Sequence, residues 1–327
     1  MRGGQYEQGG DPVKHTIDPC FFPGFVRKAV TFTIDDGNIE NDRKFIDIVR
    51  PVGIRGTFNL CAPERLSPEE YRALYDGFEI ANHVKYHPAI FNPVREYVRS
   101  NTPFDAETSD VMLLHPHPEA EGVWFVNDLY YGREKSFWYR IATVDAYIRL
   151  IDETHTELEK VFGEGSVRSF VWPFGKQKDF ERVLSHVAKK GYYAARGAGR
   201  SIDSFDMPSD RMDWRYCASD SSLLAKMERF DALPDDGTLK FFAFGVHSID
   251  YERAGRWGDL LAFAQQYGNR REDFYYATVG EIFAYEDAIN ALTITDEELV
   301  NKSSLPLYVK IDGNPVIITA GETLRLK

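Results

Sequence analysis

The stretch Ala29-Val30-Thr31-Phe32-Thr33-Ile34-Asp35-Asp36-Gly37 reads as a short strand that runs straight into two carboxylates and a turn. Its residues are apolar or β-branched throughout, as a short β-rich run requires. Working outward, runs of the same kind recur at Gly56–Leu60, Phe78–Ala81, Ser169–Val171, Tyr193–Arg196, Phe241–Val246 and Phe274–Ala277. Helical patterns separate most of them. One begins at Ser67-Pro68-Glu69-Glu70, a capping box with proline at the first helical position. Another covers Val144–Phe162 and stops at Gly163. Others are expected at Lys178–Lys190, Ser221–Phe230, Trp257–Tyr267 and Val279–Leu292. Strands joined by helical crossovers predict an α/β protein with a mostly parallel sheet. This number of strands favours a closed or nearly closed barrel, although a doubly wound open sheet fits the same alternation.

Two regions break the rhythm. Residues 91–141 carry many aromatics but few clear elements, and are expected to be a long insertion of the kind that is either functional or disordered. After residue 296 the pattern turns to β, with LYVKI and PVIITA around the turn-like Asp312-Gly313-Asn314. The expected organisation is an N-terminal extension (1–26), a barrel (27–295, insertion 91–141) and a small C-terminal β extension (296–327). Across 327 residues, 39 Lys and Arg stand against 51 Asp and Glu, a net charge of −12. That balance speaks against a general nucleic-acid binder and against attraction to anionic membranes. No run of apolar residues is long enough for a membrane span. The opening MRGGQYEQGG lacks the apolar core of a signal peptide, and Cys20, Cys61 and Cys217 are scattered. Both points lead us to expect a cytoplasmic protein.

Four clusters of chemistry-bearing residues directly follow expected strands. Asp35 and Asp36 suit a metal ligand beside a proton acceptor, though Asp-Gly is also a common turn pair. His83 and His87, at i and i+4, would lie on one face of a helical turn and share a metal; a structural histidine pair reads equally well. Imidazole and carboxylate donors suit Zn²⁺. Trp172-Pro173-Phe174-Gly175 forces an irregular turn able to aim an N–H at an oxyanion, or is an ordinary loop. His247 ends a strand, as a general acid or as a histidine of the barrel rim. Active sites of such barrels lie at the strands' C-terminal ends, so the four together describe one hydrolytic constellation.

At these residues the sequence resembles the polysaccharide deacetylase family, the NodB-homology group or carbohydrate esterase family 4. The family's T-F-D-D-G is similar to Thr33-Ile34-Asp35-Asp36-Gly37, and its H-[ST]-x-x-H to His83–His87. Its G-x-E-I-x-N resembles Gly77–Asn82, its R-x-P-[YF] falls on Val171–Phe174, and its L-x-x-H on Phe244–His247. The resemblance implies a distorted (β/α)7 barrel and a metal-dependent deacetylase of an N- or O-acetylated carbohydrate. It implies that Asp36, His83 and His87 hold one divalent ion, most simply Zn²⁺, with Co²⁺, Ni²⁺ or Mn²⁺ as alternatives. It further implies Asp35 as general base on a metal-bound water, His247 as general acid, and the Phe174 N–H as oxyanion donor. Trp172, Pro173, Trp214, Tyr86 and Asp213 become candidates for substrate contact, the last through Asp210-Arg211-Met212-Asp213-Trp214, which matches the family's D-x-x-D-W.

The sequence also departs from the family. Val84 stands where a Ser or Thr braces the metal loop. Val171 stands where an Arg pairs with the base, and its loss should raise the pKa of Asp35 unless another cation serves; Arg211, Arg215 and Lys176 are candidates. Two other readings therefore remain open at this point: hydrolysis of another small amide, and a catalytically weak carbohydrate-binding barrel. In the insertion, Trp124, Tyr130, Tyr131 and Trp138 are candidates for a sugar platform, and His115 and His117 for a second metal site, although packing and plain exposure explain them as well.

Overall fold

The computed structural model describes residues 15–90, 112–116, 118–128, 138–174, 181–197 and 201–326. Its strands are β1 (Ile17–Phe21), β2 (Lys28–Asp35), β3 (Thr57–Leu60), β4 (Glu79–Asn82), β5 (Ala89–Ile90), β6 (Met112–Pro116), β7 (Val123–Asp128), β8 (Trp138–Ala142), β9 (Ser169–Val171), β10 (Ala194–Arg196), β11 (Lys240–His247), β12 (Phe274–Tyr276), β13 (Thr293–Ile294), β14 (Glu298–Val300), β15 (Leu307–Ile311), β16 (Asn314–Ile318) and β17 (Thr323–Arg325). Strand β2 is buried along all but its two end residues, Thr31 and Thr33 included, as a strand covered on both faces is.

The main sheet runs β10-β9-β4-β3-β2-β11, with β12 also paired to β2. Every pairing in it is parallel. The sheet's strands stand side by side in the order they occur along the chain, β2, β3, β4, β9 and β10, and β11 then pairs with β2. A doubly wound sheet reverses direction at its centre; a curled sheet returns to its first strand, as here. Between the edge strands β10 and β11, the segment 214–218 makes parallel bridges from Trp214 to Arg196 and from Ala218 to Phe244. The result is a distorted (β/α) barrel. Phe32 of β2 packs at 4.9 Å from Phe45 and 5.3 Å from Phe58, ring centre to ring centre, in its core. Near the strands' N-terminal ends, Glu79 accepts hydrogen bonds from Thr57 Oγ1 (2.8 Å), Ser169 Oγ (2.5 Å) and the Gly280 N–H (2.9 Å), tying three strands to the last helix.

Several elements differ from expectation. The helix Ile39–Val49, capped by the Asn38 side chain, buries Phe45, Ile46 and Val49. Its polar opening IENDR hides that stripe in the sequence. A short helix, Ser248–Arg253, follows β11 directly. The insertion is not merely a loop: β5-β8-β7-β6 form a four-stranded sheet, β6, β7 and β8 pairing antiparallel. The C-terminal β region builds two small sheets rather than one, β13-β14-β17 and β1-β15-β16, and the second takes its edge strand from the N-terminal extension. Among the described residues, no helix is long and apolar enough to cross a membrane.

Candidate active site

Parallel register assembles the site at one rim of the barrel. Asp35 closes β2 and pairs with His247 of β11 on one side and Asn59 of β3 on the other. Asn82 closes β4, so His83 is the first residue beyond it. Val171 closes β9 and pairs with Arg196 of β10. All these positions lie at the strands' C-terminal ends, where barrels carry their chemistry.

Asp36 Oδ1 lies 3.4 Å from His83 Nε2 and 3.8 Å from His87 Nε2. The two imidazole centres are 4.7 Å apart. His83 is buried, and its Nδ1 faces the Val171 carbonyl at 2.9 Å. A carbonyl only accepts, so Nδ1 carries a proton, and in the neutral ring Nε2 offers its lone pair. That Nε2 is buried with no hydrogen-bond partner. A buried, unsatisfied lone pair aimed at a carboxylate is costly unless a cation completes it, so the residues present fit a metal ion. Burial, with His83 beside it, pushes His87 down to about 4, leaving it neutral and able to ligate. Burial opposes ionisation of Asp36, but His83, His247 and His87 outweigh it and hold the carboxyl well below its usual range.

Asp35 solves the missing-arginine problem in an unexpected way. Arg196 Nη2 donates to both of its oxygens, at 2.7 and 2.6 Å. Arg196 stands opposite Val171 on the adjoining strand, so the guanidinium arrives from one strand over. None of the cations expected from the sequence takes this place. Arg211 instead pairs with Glu286 at 2.9 Å and with Asp287, Arg215 is exposed, and Lys176, like Gly175, lies outside the described residues. Burial drives the Asp35 carboxyl upward, yet Arg196, His83 and His247 more than offset it and the pKa falls. The rise expected from losing the family's arginine does not occur. Asn59 Nδ2 donates to the same carboxylate at 2.6 Å.

His247 Nδ1 bonds Asp250 Oδ2 at 2.7 Å, and its Nε2 faces Asp36 Oδ2 at 3.6 Å. The Asp250 hydrogen bond, against burial, raises His247 to about 9. At neutral pH it therefore carries a proton on the side facing the carboxylates.

The His83–His87 pair is not on a helix. Val84, Tyr86 and His87 all have positive φ (56°, 67° and 47°), forming a left-handed turn that points both rings inward. Asp36 (75°) and Phe174 (55°) share that conformation. Left-handed non-glycine residues cost energy, Val84 most of all because it is β-branched, and they cluster at this rim. The turn is braced without the family's Ser or Thr: Asn82 Oδ1 accepts the Val84 N–H at 2.9 Å and Thr154 Oγ1 accepts the Lys85 N–H at 2.8 Å.

The expected substrate contacts divide. Trp172 (1% exposed) packs against Tyr147 and Phe170, and Trp214 (3%) against Phe241 and Phe283. Both rings are core, which corrects their assignment to substrate, and Pro173 is buried too. Tyr86 is part-exposed, with its carbonyl held by Arg140 Nη1 at 3.2 Å. Phe174 is 55% exposed and its ring meets His87 at 4.6 Å. Asp213 lies against Gly197, the residue after Arg196: a Cβ there would come within 2.3 Å of Asp213 Oδ1. Trp214 of the same D-x-x-D-W string makes a backbone bridge to Arg196. Sequence reasoning missed Tyr216, which covers the Arg196 guanidinium at 5.5 Å and occupies the space a side chain at Gly245 would fill. It also missed Cys61, whose Sγ–H donates to the His83 carbonyl at 3.5 Å. Burial, with Asp36 and Asp35 adding to it, pushes that thiol well up. In the insertion, His117, Tyr130 and Tyr131 lie outside the described residues, while the backbone sets His115 opposite Phe125, Trp124 opposite Ile141 and Trp138 opposite Asn127.

No curated protein matches the sequence. Among solved structures, a polysaccharide deacetylase from Bacillus cereus is 12% identical, with 77% of this chain and 92% of that chain covered and a TM-score of 0.40. A family 4 carbohydrate esterase from Streptomyces lividans, in complex with acetate, is 16% identical over 72% and 86% (TM-score 0.38). A CE4 esterase from Streptococcus mutans is 14% identical over 77% and 86% (TM-score 0.43). The family model described as polysaccharide deacetylase matches residues 24–195, just over half of the chain and including Asp35, Asp36, His83, His87 and Phe174. The chain belongs to the polysaccharide deacetylase family.

Proposed function

We propose that the protein is a hydrolase, dependent on a divalent metal, that removes an acetyl or related acyl group from an N- or O-acetylated carbohydrate. One observation carries the proposal: the buried, unpaired Nε2 of His83 faces the Asp36 carboxylate, with His87 beside it. Asp36, His83 and His87 would hold the ion, and the mixture of carboxylate and imidazole favours Zn²⁺ over Co²⁺, Ni²⁺ or Mn²⁺. A bound ion there supplies Lewis acidity, polarising the acyl carbonyl and easing the ionisation of water.

The chain's own residues do the rest. Asp35, kept ionised by Arg196 and aimed by Asn59, accepts the proton of the attacking water. His247, protonated through Asp250, delivers a proton from Nε2 to the departing amine or alcohol. The Phe174 N–H, on the left-handed turn beside His87, is assigned to the developing oxyanion. Tyr86 and the exposed ring of Phe174 offer apolar faces to a sugar. The case for a merely binding barrel drew on the missing arginine and hydroxyl, and Arg196, Asn82 and Thr154 now fill those places.

The test is acetate release from acetylated chito-oligosaccharides and acetylated xylan, with bound metal measured on the same sample. Turnover that chelation abolishes and Zn²⁺ restores is expected. A full complement of metal with no turnover on any acylated sugar or small amide contradicts the assignment.

A further inference from the structure

Asp36, Cys61 and His83 are each the first residue beyond one of three neighbouring parallel strands, β2, β3 and β4. Strands in such a sheet lie about 4.8 Å apart, so the topology itself delivers a carboxylate, a thiol and an imidazole to adjacent places on the rim. One ligand atom from each of the three lies within 4.8 Å of both others. On a tetrahedral zinc a thiolate and an imidazole donor stand roughly 3.6 Å apart. Side-chain movements of about an ångström therefore bring all three toward one centre. The thiol's present contact, a 3.5 Å bond to the His83 carbonyl, is weak enough to give up. A second feature points to a ligand at this spot: the buried His83 Nε2 has no hydrogen-bond partner.

We propose that Cys61 is a further protein ligand of the ion held by Asp36 and His83, and that it biases the site toward thiophilic ions such as Zn²⁺, Co²⁺ and Cd²⁺ over Mg²⁺ or Mn²⁺. The inference rests on the metal-site reading given above. On binding, the Sγ–H bond breaks, its proton leaves to solvent, and the sulfur lone pair forms the bond to the ion; no electron is transferred. None of the motifs quoted above includes this cysteine.

The experiment strips the protein with a chelator and reloads it with Co²⁺. It records cobalt equivalents by elemental analysis and the near-ultraviolet absorption characteristic of thiolate-to-cobalt charge transfer. Competition then gives the Zn²⁺-to-Mn²⁺ preference of the wild type and of Cys61→Ser. One equivalent of cobalt with the band is expected. The band should be absent from Cys61→Ser, whose Zn²⁺ affinity should fall by about tenfold or more while Mn²⁺ changes far less. If the variant does not fold, a wild-type spectrum without the band still overturns the role of Cys61. One equivalent bound without the band, or a band that persists in Cys61→Ser, overturns the role of Cys61 and leaves the metal site standing. No metal bound at all removes the metal site, and this inference with it.

Discussion

Replacing Arg196 by methionine removes the guanidinium while keeping much of the buried volume. In the wild type, Nη2 touches both Asp35 oxygens, at 2.7 and 2.6 Å, and the two side chains are 2% and 13% exposed. Removing one partner of a buried pair strands the other charge, at a cost of about 3–5 kcal/mol. Asn59 still donates to Asp35 at 2.6 Å, so the lower end, about 3 kcal/mol, is expected. The pH dependence has a definite sign. The native pKa of Asp35 is depressed, so its contribution is present above the unfolded value near 3.9 and disappears as pH falls through the native value. Without Arg196 the carboxyl rises, and the variant's deficit is full at neutral pH and shrinks in acid as Asp35 takes up a proton. Urea unfolding of metal-free protein, at pH 7 and again in acid, measures both effects without a contribution from bound metal. Combining Arg196→Met with Asp35→Asn should cost less than the sum of the two changes, because no charge is then stranded. A deficit below about 1 kcal/mol at pH 7, or one that does not shrink in acid, refutes the pairing as the support of Asp35.

Other outcomes follow from the same geometry. Asp35→Asn should retain the metal and lower kcat by roughly 10²–10⁴-fold; a loss under about threefold shows that Asp35 is not the base. Asp250→Asn removes the carboxylate charge behind the hydrogen bond that raises His247 to about 9, so the basic limb of the kcat/KM profile should move to lower pH, and an unmoved limb contradicts the acid role of His247. Asp42, buried on the helix Ile39–Val49, accepts from Tyr75 Oη (2.7 Å) and Ser248 Oγ (2.5 Å), and burial raises it to about 7. The native state then holds a proton that the unfolded chain releases between about pH 4 and 7, and stability should fall by up to about 4 kcal/mol across that window. Asp42→Asn should flatten the fall and exceed the wild type in stability above pH 7; parallel urea midpoints at pH 5 and 8 in the two proteins contradict this.

The strand ends were legible because the barrel's architecture is local: a buried run, then a polar turn, repeated. Asp35, Asp36 and His247 directly follow such a run, and His83 and His87 lie within a few residues of one. Arg196 was not legible in this way, because its partner Asp35 lies 161 residues earlier and only the β9–β10 register reveals that it replaces an arginine at position 171. The His-x-x-x-His spacing was read with the helical period, whereas left-handed residues fold it as a turn; backbone strain of that kind leaves no mark in a side-chain pattern. Trp172 and Trp214 are candidates for substrate contact because the motifs they sit in face the site, but alternation along an extended segment turns their rings into the core. Cys61 was dismissed as scattered because its neighbours in space come from two other strands.

The most direct test measures bound metal and acetate release together, in the wild type and in His83→Ala. The wild type should carry about one equivalent of divalent ion per chain. It should lose deacetylation on chelation and regain it on Zn²⁺ addition, while a folded His83→Ala holds no ion and releases no acetate. Full acetate release by either protein when free of metal contradicts the account.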